Sequence, residues 1–284
     1  MFWSELLPAV AFLLLLFTVP HSPRWLMIKN RTDDAKAVLD KITSTKQESA
    51  AELSEIAKSL SNKPSLRLVE MFAKGLGFVI FLGVMLSIFQ QITGINAILY
   101  YGAEIFSNAL GYGPEDALKQ QLWLGAVNLI FTFVAIYTVD SLGRKPLFLA
   151  GTVGMFLGLS ILGTTIYTQQ MGIVSLLAIL LFIGSFAMSM GPVVWVMLSE
   201  MFPNSVRSVA MSIAVAAQWL FNAIVANSFP LVNESNLNQN SFNGALPYFI
   251  FAFFCLIALV FVWKMVPETK GKSLEEMENL WSTK

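Results

Sequence analysis

Carboxamide side chains interrupt segments of this 284-residue sequence that are otherwise apolar. Gln90, Gln91 and Asn96 lie within two helical turns of one such segment, and Asn128 and Gln218 each lie in the middle of another. An amide buried in a membrane is costly unless it finds a partner, so these groups require an explanation. Because an amide both donates and accepts hydrogen bonds without net charge, the set suits a neutral ligand covered with hydroxyls. The alternative is that the amides only join helices to one another.

The first three amides do not share a face of a regular helix. Gln90 and Gln91 are adjacent on the helix surface, whereas Asn96 points in a different direction. Gly94 lies between them. Local unwinding at this glycine would let all three amides approach one ligand, as discontinuous membrane helices do.

Two tryptophans accompany the amides. Trp195 follows Gly191-Pro192, a pair that can break a helix and form a hinge, and Trp219 follows Gln218. An aromatic plane can cover an apolar C–H face of a ligand, and the indole N–H adds a donor. Taken alone, either tryptophan could equally face lipid or the protein core.

The sequence lacks the residues that catalytic, metal and nucleic-acid sites require. The sequence has one histidine, His21, and one cysteine, Cys255, so it has no basis for a His/Cys metal site or a Cys–His nucleophile pair. The apolar segments hold no paired acids. A net charge of zero gives no basic face for nucleic acid. We therefore expect no enzyme, no metal and no cofactor.

The composition indicates a polytopic helical membrane protein. Hydrophobic residues make up 56% of the chain and charged residues 13%, and the mean hydropathy is +0.65. About 20 apolar residues cross a bilayer as a helix. The sequence predicts seven such spans, of which the first is short and is interpreted as the end of a span that begins upstream. They are Leu6–Val19, Gly77–Phe106, Leu122–Val139, Leu147–Tyr167, Ile173–Leu198, Val209–Leu231 and Pro247–Met265.

The distribution of basic residues predicts the orientation of the spans. All but one of the 18 Lys and Arg residues fall in loops on one side, and the exception is Lys119. Basic loops remain in the cytoplasm. In the long loop on this side, Thr32 is expected to cap a helix whose first turn holds Asp33-Asp34. Two apolar stripes at helical spacing predict short amphipathic helices there, with a solvated loop as the alternative. The stripes are Ala35, Val38, Leu39, Ile42 and Leu53, Ile56, Leu60.

Five motifs in order along the chain resemble the sugar porter family of the major facilitator superfamily. One departure is His21, where the family usually has Glu. The motifs are P-H-S-P-R-W-L at residues 20–26, Q-Q-I-T-G-I-N at 90–96 with Tyr100-Tyr101, D-S-L-G-R-K at 140–145, G-P-V-V-W at 191–195 with S-E-M-F-P at 199–203 and Arg207, and P-E-T-K-G at 267–271.

The resemblance implies an all-α membrane bundle. The family has twelve helices in two halves, and these spans correspond to helix six and the whole second half, so helices one to five are absent. Residues 1–20 would end helix six, 21–74 would form a cytoplasmic helical linker, 75–266 the six-helix bundle, and 267–284 a cytoplasmic tail.

The resemblance also implies roles for particular residues. One group would bind sugar, with Tyr100 and its neighbour Tyr101 towards the outside. The group is Gln90, Gln91, Asn96, Tyr100, Asn128, Trp195, Gln218 and Trp219. A second group would tie the half-bundles together at their cytoplasmic ends and separate when the carrier opens inward: Asp140, Arg144, Glu200, Arg207 and Glu268. Incidental pairing of ordinary cytoplasmic charges is the alternative for the second group.

We therefore expect a cell-membrane protein that carries a monosaccharide by alternating access, together with a missing amino-terminal half. The bacterial resemblance favours sugar–proton symport. Because the middle of the spans holds no clear carboxylate, a proton-coupling acid is expected in the missing half. Alternatives are a uniporter, a carrier of inositol or another polyol, and a non-transporting sugar receptor. We expect that this chain alone does not transport sugar.

Overall fold

The structure, a computed structural model, describes residues 2–61, 76–105, 113–203, 206–271 and 277. The regular structure in these residues is entirely helical, which confirms the all-α prediction. The helices are α1 (Phe2–Leu16), α2 (Pro23–Ile28), α3 (Thr32–Ile42), α4 (Lys46–Ser61), α5 (Gly77–Ile92), α6 (Ile95–Tyr100), α7 (Gly102–Glu104), α8 (Pro114–Leu142), α9 (Arg144–Tyr167), α10 (Ile173–Met188), α11 (Met190–Met201), α12 (Arg207–Asn233), α13 (Asn236–Ser241) and α14 (Leu246–Met265).

The chain divides into two compact units, Met1–Leu66 and Arg67–Lys284. In the first unit, α2, α3 and α4 pack together and bury Leu26, Ala35 and Leu39. The leucines of α1 are exposed from Leu6 to Leu16, as expected of a helix made for lipid.

The predicted amphipathic helices form, with two differences in detail. Thr32 does not cap α3; it is the first helical residue, and the capping position belongs to Arg31, whose Nε donates to Asp34 at 2.7 Å. Of the first stripe, Ile42, the last residue of the helix, is 66% exposed. Of the second stripe, Leu60 lies outside the residues whose burial is described.

Six helical segments of the second unit are long and apolar enough to cross a membrane. They correspond to six of the seven predicted spans. The remaining prediction falls on α1, whose 15 residues measure about 22 Å, less than the roughly 30 Å of a hydrocarbon core. The six are Gly77–Tyr100, Leu122–Leu142, Arg144–Tyr167, Ile173–Met201, Arg207–Asn233 and Leu246–Met265.

Small residues let α9 pack closely against α10. A Cβ atom built on Gly158 would lie 2.8 Å from the carbonyl oxygen of Ala178 and 2.9 Å from the backbone nitrogen of Phe182. Cβ atoms on Gly151 and Gly154 would overlap the side chains of serines. These glycines therefore serve close helix packing.

Two of the membrane-crossing segments are broken in their middle. Between α5 and α6, Gly94 has a left-handed backbone (φ +88°), and the ring of Phe251 occupies the place of a Cβ atom. Between α10 and α11 the break is at Ser189 (φ −126°, ψ −91°). The sequence predicted this second break at Gly191-Pro192. These two residues instead lie in the first turn of α11, where a proline costs no hydrogen bond because the first N–H groups have no helical partner.

Candidate functional site

Helices α5 and α6, which flank the break at Gly94, and helix α12, which packs against both, carry the amides of this site. Gln90, at the end of α5, is 3% exposed. Its Nε2 donates to the carbonyl oxygens of Met190, at 2.8 Å, and Gly191, at 3.1 Å. Both acceptors belong to the first turn of α11. Gln90 therefore joins the end of one half-helix to the start of another.

The left-handed turn at Gly94 brings Asn96 back towards Gln91. Asn96 Nδ2 donates to Gln91 Oε1 at 2.7 Å and to Asn222 Oδ1 of α12 at 3.0 Å. A continuous helix would direct Gln91 and Asn96 to different faces. The unwinding predicted from the sequence is thus the feature that lets these two amides meet.

Helix α12 contributes amides from its buried face. Gln218 and Asn222 are each 7% exposed and lie one turn apart, within a stripe that packs along α5 and α6. The buried stripe is Ala210, Ala214, Gln218, Asn222, Val225 and Phe229. We call Gln90, Gln91, Asn96, Gln218 and Asn222 the amide cluster.

Two oxygens of the amide cluster have no hydrogen-bond donor within the described part of the chain. They are Gln90 Oε1 and Gln218 Oε1, and both are buried. Buried polar atoms in proteins are nearly always paired with protein or with water, so these two acceptors need a donor from elsewhere. A hydroxyl group can supply one.

The other four predicted ligand-binding residues are half-buried or exposed. Tyr100, Trp195 and Trp219 are 57%, 40% and 61% exposed. Asn128 is half-buried on α8, where its carbonyl oxygen accepts a hydrogen bond from Thr132. Among the described residues, the structure joins none of these four to the amide cluster by a hydrogen bond.

Two contributors lie outside the predicted ligand-binding set. Asn222 had no predicted role, although its spacing of four from Gln218 was a usable signal. Tyr101 donates its hydroxyl to the carbonyl oxygen of Ala226 at 3.2 Å and stacks on Phe229 at 5.1 Å between ring centroids. These contacts fix the end of α6 against α12.

A second constellation joins the ends of four helices by ionic groups. Arg144 forms a bidentate salt bridge with Glu200, in which Nη2 donates to Oε1 at 2.7 Å and Nε donates to Oε2 at 3.1 Å. It also contacts Asp140 at 3.0 Å. The hydroxyl of Thr269 donates to Glu200 Oε2 at 2.5 Å. We call Asp140, Arg144, Glu200, Glu268 and Thr269 the charged network.

Glu268 completes this network by accepting backbone N–H groups. Donors are Arg144 and Lys145 at the start of α9, at 3.1 and 3.0 Å, and Thr269 and Lys270, at 2.9 and 2.8 Å. Desolvation raises the pKa of Glu268, but these four bonds outweigh it and hold the pKa below its ordinary value.

Gly143 makes this contact of Glu268 possible. Its φ of +96° suits glycine, and a Cβ atom there would lie 2.8 Å from Glu268 Oε2. Lys270 Nζ adds a bond to the carbonyl oxygen of Ser141 at 2.6 Å. The fifth predicted member of the charged group, Arg207, donates through Nε to the carbonyl oxygen of Phe202 at 3.2 Å.

A separate cavity of 380 Å³ lies among the helix ends on another part of the second unit. It is lined by residues that include Glu104, Phe229, Asn233, Glu234 and Tyr248. None of the eight predicted ligand-binding residues lines it. Among the described residues there is also no group of three or more His, Cys, Asp or Glu side chains that could hold a metal ion.

Comparison with known proteins decides the family. A family model described as "Sugar (and other) transporter" matches residues 1–281. This chain belongs to that transporter family. The D-xylose-proton symporter of Escherichia coli K12 is 49% identical over 283 residues, which are 99% of this chain and 56% of the symporter. The glucose facilitated diffusion protein of Zymomonas mobilis is 40% identical over 278 residues, or 98% of this chain and 58% of that protein.

Solved structures agree with this family and with the major facilitator fold. The proton:xylose symporter XylE bound to 6-bromo-6-deoxy-D-glucose superposes with a TM-score of 0.84 and is 48% identical, over 98% of this chain and 58% of that one. An inward-open conformation of XylE from E. coli gives a TM-score of 0.72, at 46% identity over 98% of this chain and 55% of that one. The chain thus spans somewhat more than half the length of these relatives.

Proposed function

We propose that this chain is the carboxy-terminal half of a carrier that moves a monosaccharide across the cell membrane by alternating access. The observation that carries the proposal is the amide cluster. It gathers uncharged donors and acceptors from α5, α6 and α12 within segments that otherwise suit lipid. The family and the names of the relatives support sugar as the ligand class.

The cluster has the chemistry that a sugar requires. Its two acceptors without a donor in the described residues, Gln90 Oε1 and Gln218 Oε1, can accept sugar hydroxyl protons. Amide nitrogens supply donors, and no charge has to be neutralised. We expect such a site to bind modestly. Millimolar affinity, for example, corresponds to about −4 kcal/mol. Weak binding allows release on the far side of the membrane.

The exposed aromatic residues complete the site in this proposal. Tyr100, Trp195 and Trp219 are too exposed to be core residues, and Trp219 directly follows Gln218. We infer that they and Asn128 face a ligand cavity whose other wall is the amino-terminal half of the carrier. Ring planes there would cover the apolar face of the sugar.

The charged network would bias the carrier between its two states. We infer that its helix ends, the linker and the tail lie in the cytoplasm. Nearly all Lys and Arg residues fall in these segments, and basic loops remain on the cytoplasmic side of the membrane. In this proposal the pairs among Arg144, Glu200 and Asp140 brace the cytoplasmic helix ends of this half, and the contacts of this charged end with the amino-terminal half would separate as the carrier opens inward. Ion pairs of this kind can shift such an equilibrium by a few kcal/mol.

Proton coupling is the finer part of the proposal. The relatives include both proton symporters and a facilitated diffusion protein. We favour symport because of the resemblance to bacterial symporters. Since the described spans have no carboxylate at mid-depth, the proton-coupling acid would lie in the amino-terminal half. Uptake of protons with sugar, measured as alkalinisation of the medium, separates symport from uniport. A panel of radiolabelled monosaccharides and polyols separates a sugar carrier from an inositol carrier.

The test of the proposed site uses the full carrier that contains this chain. Gln91→Ala and Asn96→Ala should each reduce uptake of the preferred radiolabelled sugar at least tenfold while the protein still reaches the membrane. Asn227→Ala is the matched control, because Asn227 lies on α12 and its one side-chain hydrogen bond within the described residues is to the carbonyl of Ala223 in its own helix. Undiminished uptake in both site variants would remove the assignment. Binding of sugar without any uptake by the wild type would favour a receptor.

A further inference from the structure

Asn96 uses both of its N–H groups within the protein. One points to Gln91 Oε1 at 2.7 Å and the other to Asn222 Oδ1 at 3.0 Å. A carboxamide nitrogen has two hydrogens, so these contacts exhaust it. With Gln91 and Asn222 in these orientations, a flip of Asn96 alone would turn its oxygen towards two other oxygens. The atoms left for a ligand are therefore Asn96 Oδ1 as an acceptor and the nitrogens of Gln91 and Asn222 as donors.

We propose that Asn222 is a positioning residue of the sugar site, which acts by holding Asn96 in this orientation. The inference rests on the proposed function and deepens it. Asn222 accepts from Asn96, and Asn96 and Gln91 then present one acceptor and one donor of defined position. Without Asn222, one N–H of Asn96 is released, and the group loses the bond that opposes its rotation.

The geometry of α12 makes Asn222 suitable for this role. It is 7% exposed, so packing around it restricts its side chain. One turn further along α12, the carbonyl oxygen of Ala226 accepts the hydroxyl of Tyr101. The short helix α6 is thus bonded to α12 near both of its ends, through Asn96 and through Tyr101. These two bonds set the register of α6 after the break at Gly94.

The same residue could instead contact the sugar directly through its nitrogen, or serve only to hold helices together. The three roles differ in how they depend on Asn96. A positioning residue has no effect once Asn96 is gone, whereas a direct contact or a general structural role remains. A double-mutant cycle measures this difference.

The experiment measures the Kd of the purified full carrier for radiolabelled D-xylose and D-glucose, using whichever the wild type binds, together with the maximal uptake rate. Asn222→Leu should raise Kd about tenfold, the loss expected for one buried hydrogen bond in a binding site. Asn96→Ala should raise Kd by at least as much. The double variant should bind no worse than Asn96→Ala alone, within about twofold.

A second variant separates positioning from direct contact even if Asn222→Leu folds poorly. Asn222→Asp keeps an oxygen acceptor for Asn96 and removes the nitrogen donor when its carboxyl is ionised, so Kd is compared at pH 6 and pH 8 to detect a protonated carboxyl, which would donate again. Positioning predicts a Kd within about threefold of the wild type, while a direct donor contact predicts a loss like that of Asn222→Leu. Asn227→Leu, on the same helix, controls for replacing an amide by leucine.

The outcomes are distinct. Losses that multiply in the double variant, or a tenfold loss in Asn222→Asp, overturn the positioning role and leave the proposed sugar site standing. An unchanged Kd in Asn96→Ala overturns the sugar site itself. Non-additive losses together with retained affinity in Asn222→Asp support the inference.

Discussion

The amide cluster and the charged network are both made of polar groups in the second unit, but they differ in how fully their hydrogen bonds are made. The amide cluster is uncharged and retains two buried oxygens that have no donor within the described residues. The charged network is ionic, and Glu268 alone accepts four backbone N–H groups. The amide cluster thus keeps hydrogen-bond acceptors without a donor, whereas the acceptors of Glu268 in the charged network are largely used.

This difference fits the two proposed roles, ligand binding by the amide cluster and stabilisation of the helix ends by the charged network. A group that binds a ligand must leave atoms for the ligand to satisfy, at some expense in the empty protein. A group that holds helix ends together must satisfy its charges within the protein, because an unpaired buried charge is very costly. Changes in the amide cluster should therefore affect ligand affinity more than stability, and changes in the charged network the reverse.

The largest effect is expected where backbone geometry creates the amide cluster. Gly94→Ala should lower sugar uptake roughly 100-fold, equivalent to about 2.7 kcal/mol. A left-handed alanine costs roughly 1–2 kcal/mol, and overpacking against the Phe251 ring adds roughly 1–3 kcal/mol. Relief of this strain would straighten the segment and separate Asn96 from Gln91. Radiolabelled uptake, normalised to the amount of carrier in the membrane, measures the loss.

Gly125→Ala is the control for this change. Gly125 lies within α8, and no described atom outside the neighbouring backbone of that helix comes within 4 Å of the place of its Cβ atom. It should transport like the wild type. If Gly94→Ala also transports normally, the left-handed break is not what assembles the cluster, and the comparison with the charged network loses its basis.

The charged network should show the opposite balance. Glu200→Gln leaves the 12%-exposed Arg144 with the largely exposed Asp140 as its remaining carboxylate in the described chain. The expected loss is about 2 kcal/mol, between the values for exposed and buried pairs. It should lower the thermal midpoint of the purified carrier by about 5 °C while changing sugar Kd less than threefold. Glu52→Gln, at an exposed position of α4, should change neither.

A large part of this architecture can be predicted from the sequence. The spans follow from runs of apolar residues, and the stripe Ala210, Ala214, Gln218 follows from spacing of four on α12. The motif residues Glu200 and Glu268 were expected to lie near Arg144. These features depend on local pattern, on topology, or on the family resemblance, all of which a sequence records.

The contacts that define the cluster could not be predicted in the same way. That Asn96 meets both Gln91 and Asn222 depends on the handedness of one residue, Gly94, and on the register of α6 against α12. The second break was expected at Gly191-Pro192 but occurs at Ser189, because proline fits the first turn of a new helix. Periodicity reports which face is buried, and not which side-chain atoms touch.

Within the amide cluster, a residue with an atom that lacks a donor offers a sharper test than one that is fully bonded. Gln218→Leu removes a buried oxygen that has no donor within the described residues and keeps a similar volume. The thermal midpoint should stay the same or rise, since an unpaired buried acceptor no longer has to be accommodated. Sugar Kd should rise about tenfold. A fall in the midpoint of 5 °C would mean that Gln218 braces the bundle, and the distinction between the two regions would fail.

The smallest effect concerns the pH dependence of the charged network. Hydrogen bonds hold the pKa of Glu268 below its ordinary value, so the ionised side chain stabilises the folded state above that ordinary range. This stabilisation should be fully present at pH 6–7, well above the ordinary glutamate pKa of about 4.3, and be lost as the pH falls through the lowered pKa. Glu268→Gln removes the charge at every pH. Its thermal midpoint should therefore lie below that of the wild type at pH 7, by at most about 3 °C, because Glu268 is partly exposed and solvent screens its charge.

The difference in thermal midpoint between the wild type and Glu268→Gln should disappear as the pH is lowered below 4, since the wild type then loses the same charge. Thermal midpoints of both in detergent, measured from pH 7 downwards, give the curve. Glu234→Gln controls for loss of an exposed carboxylate, and should track the wild type. A gap that stays constant with pH would mean that the four N–H bonds to Glu268 contribute through shape and not charge. The charged network would then resemble the amide cluster more than the contrast between them allows.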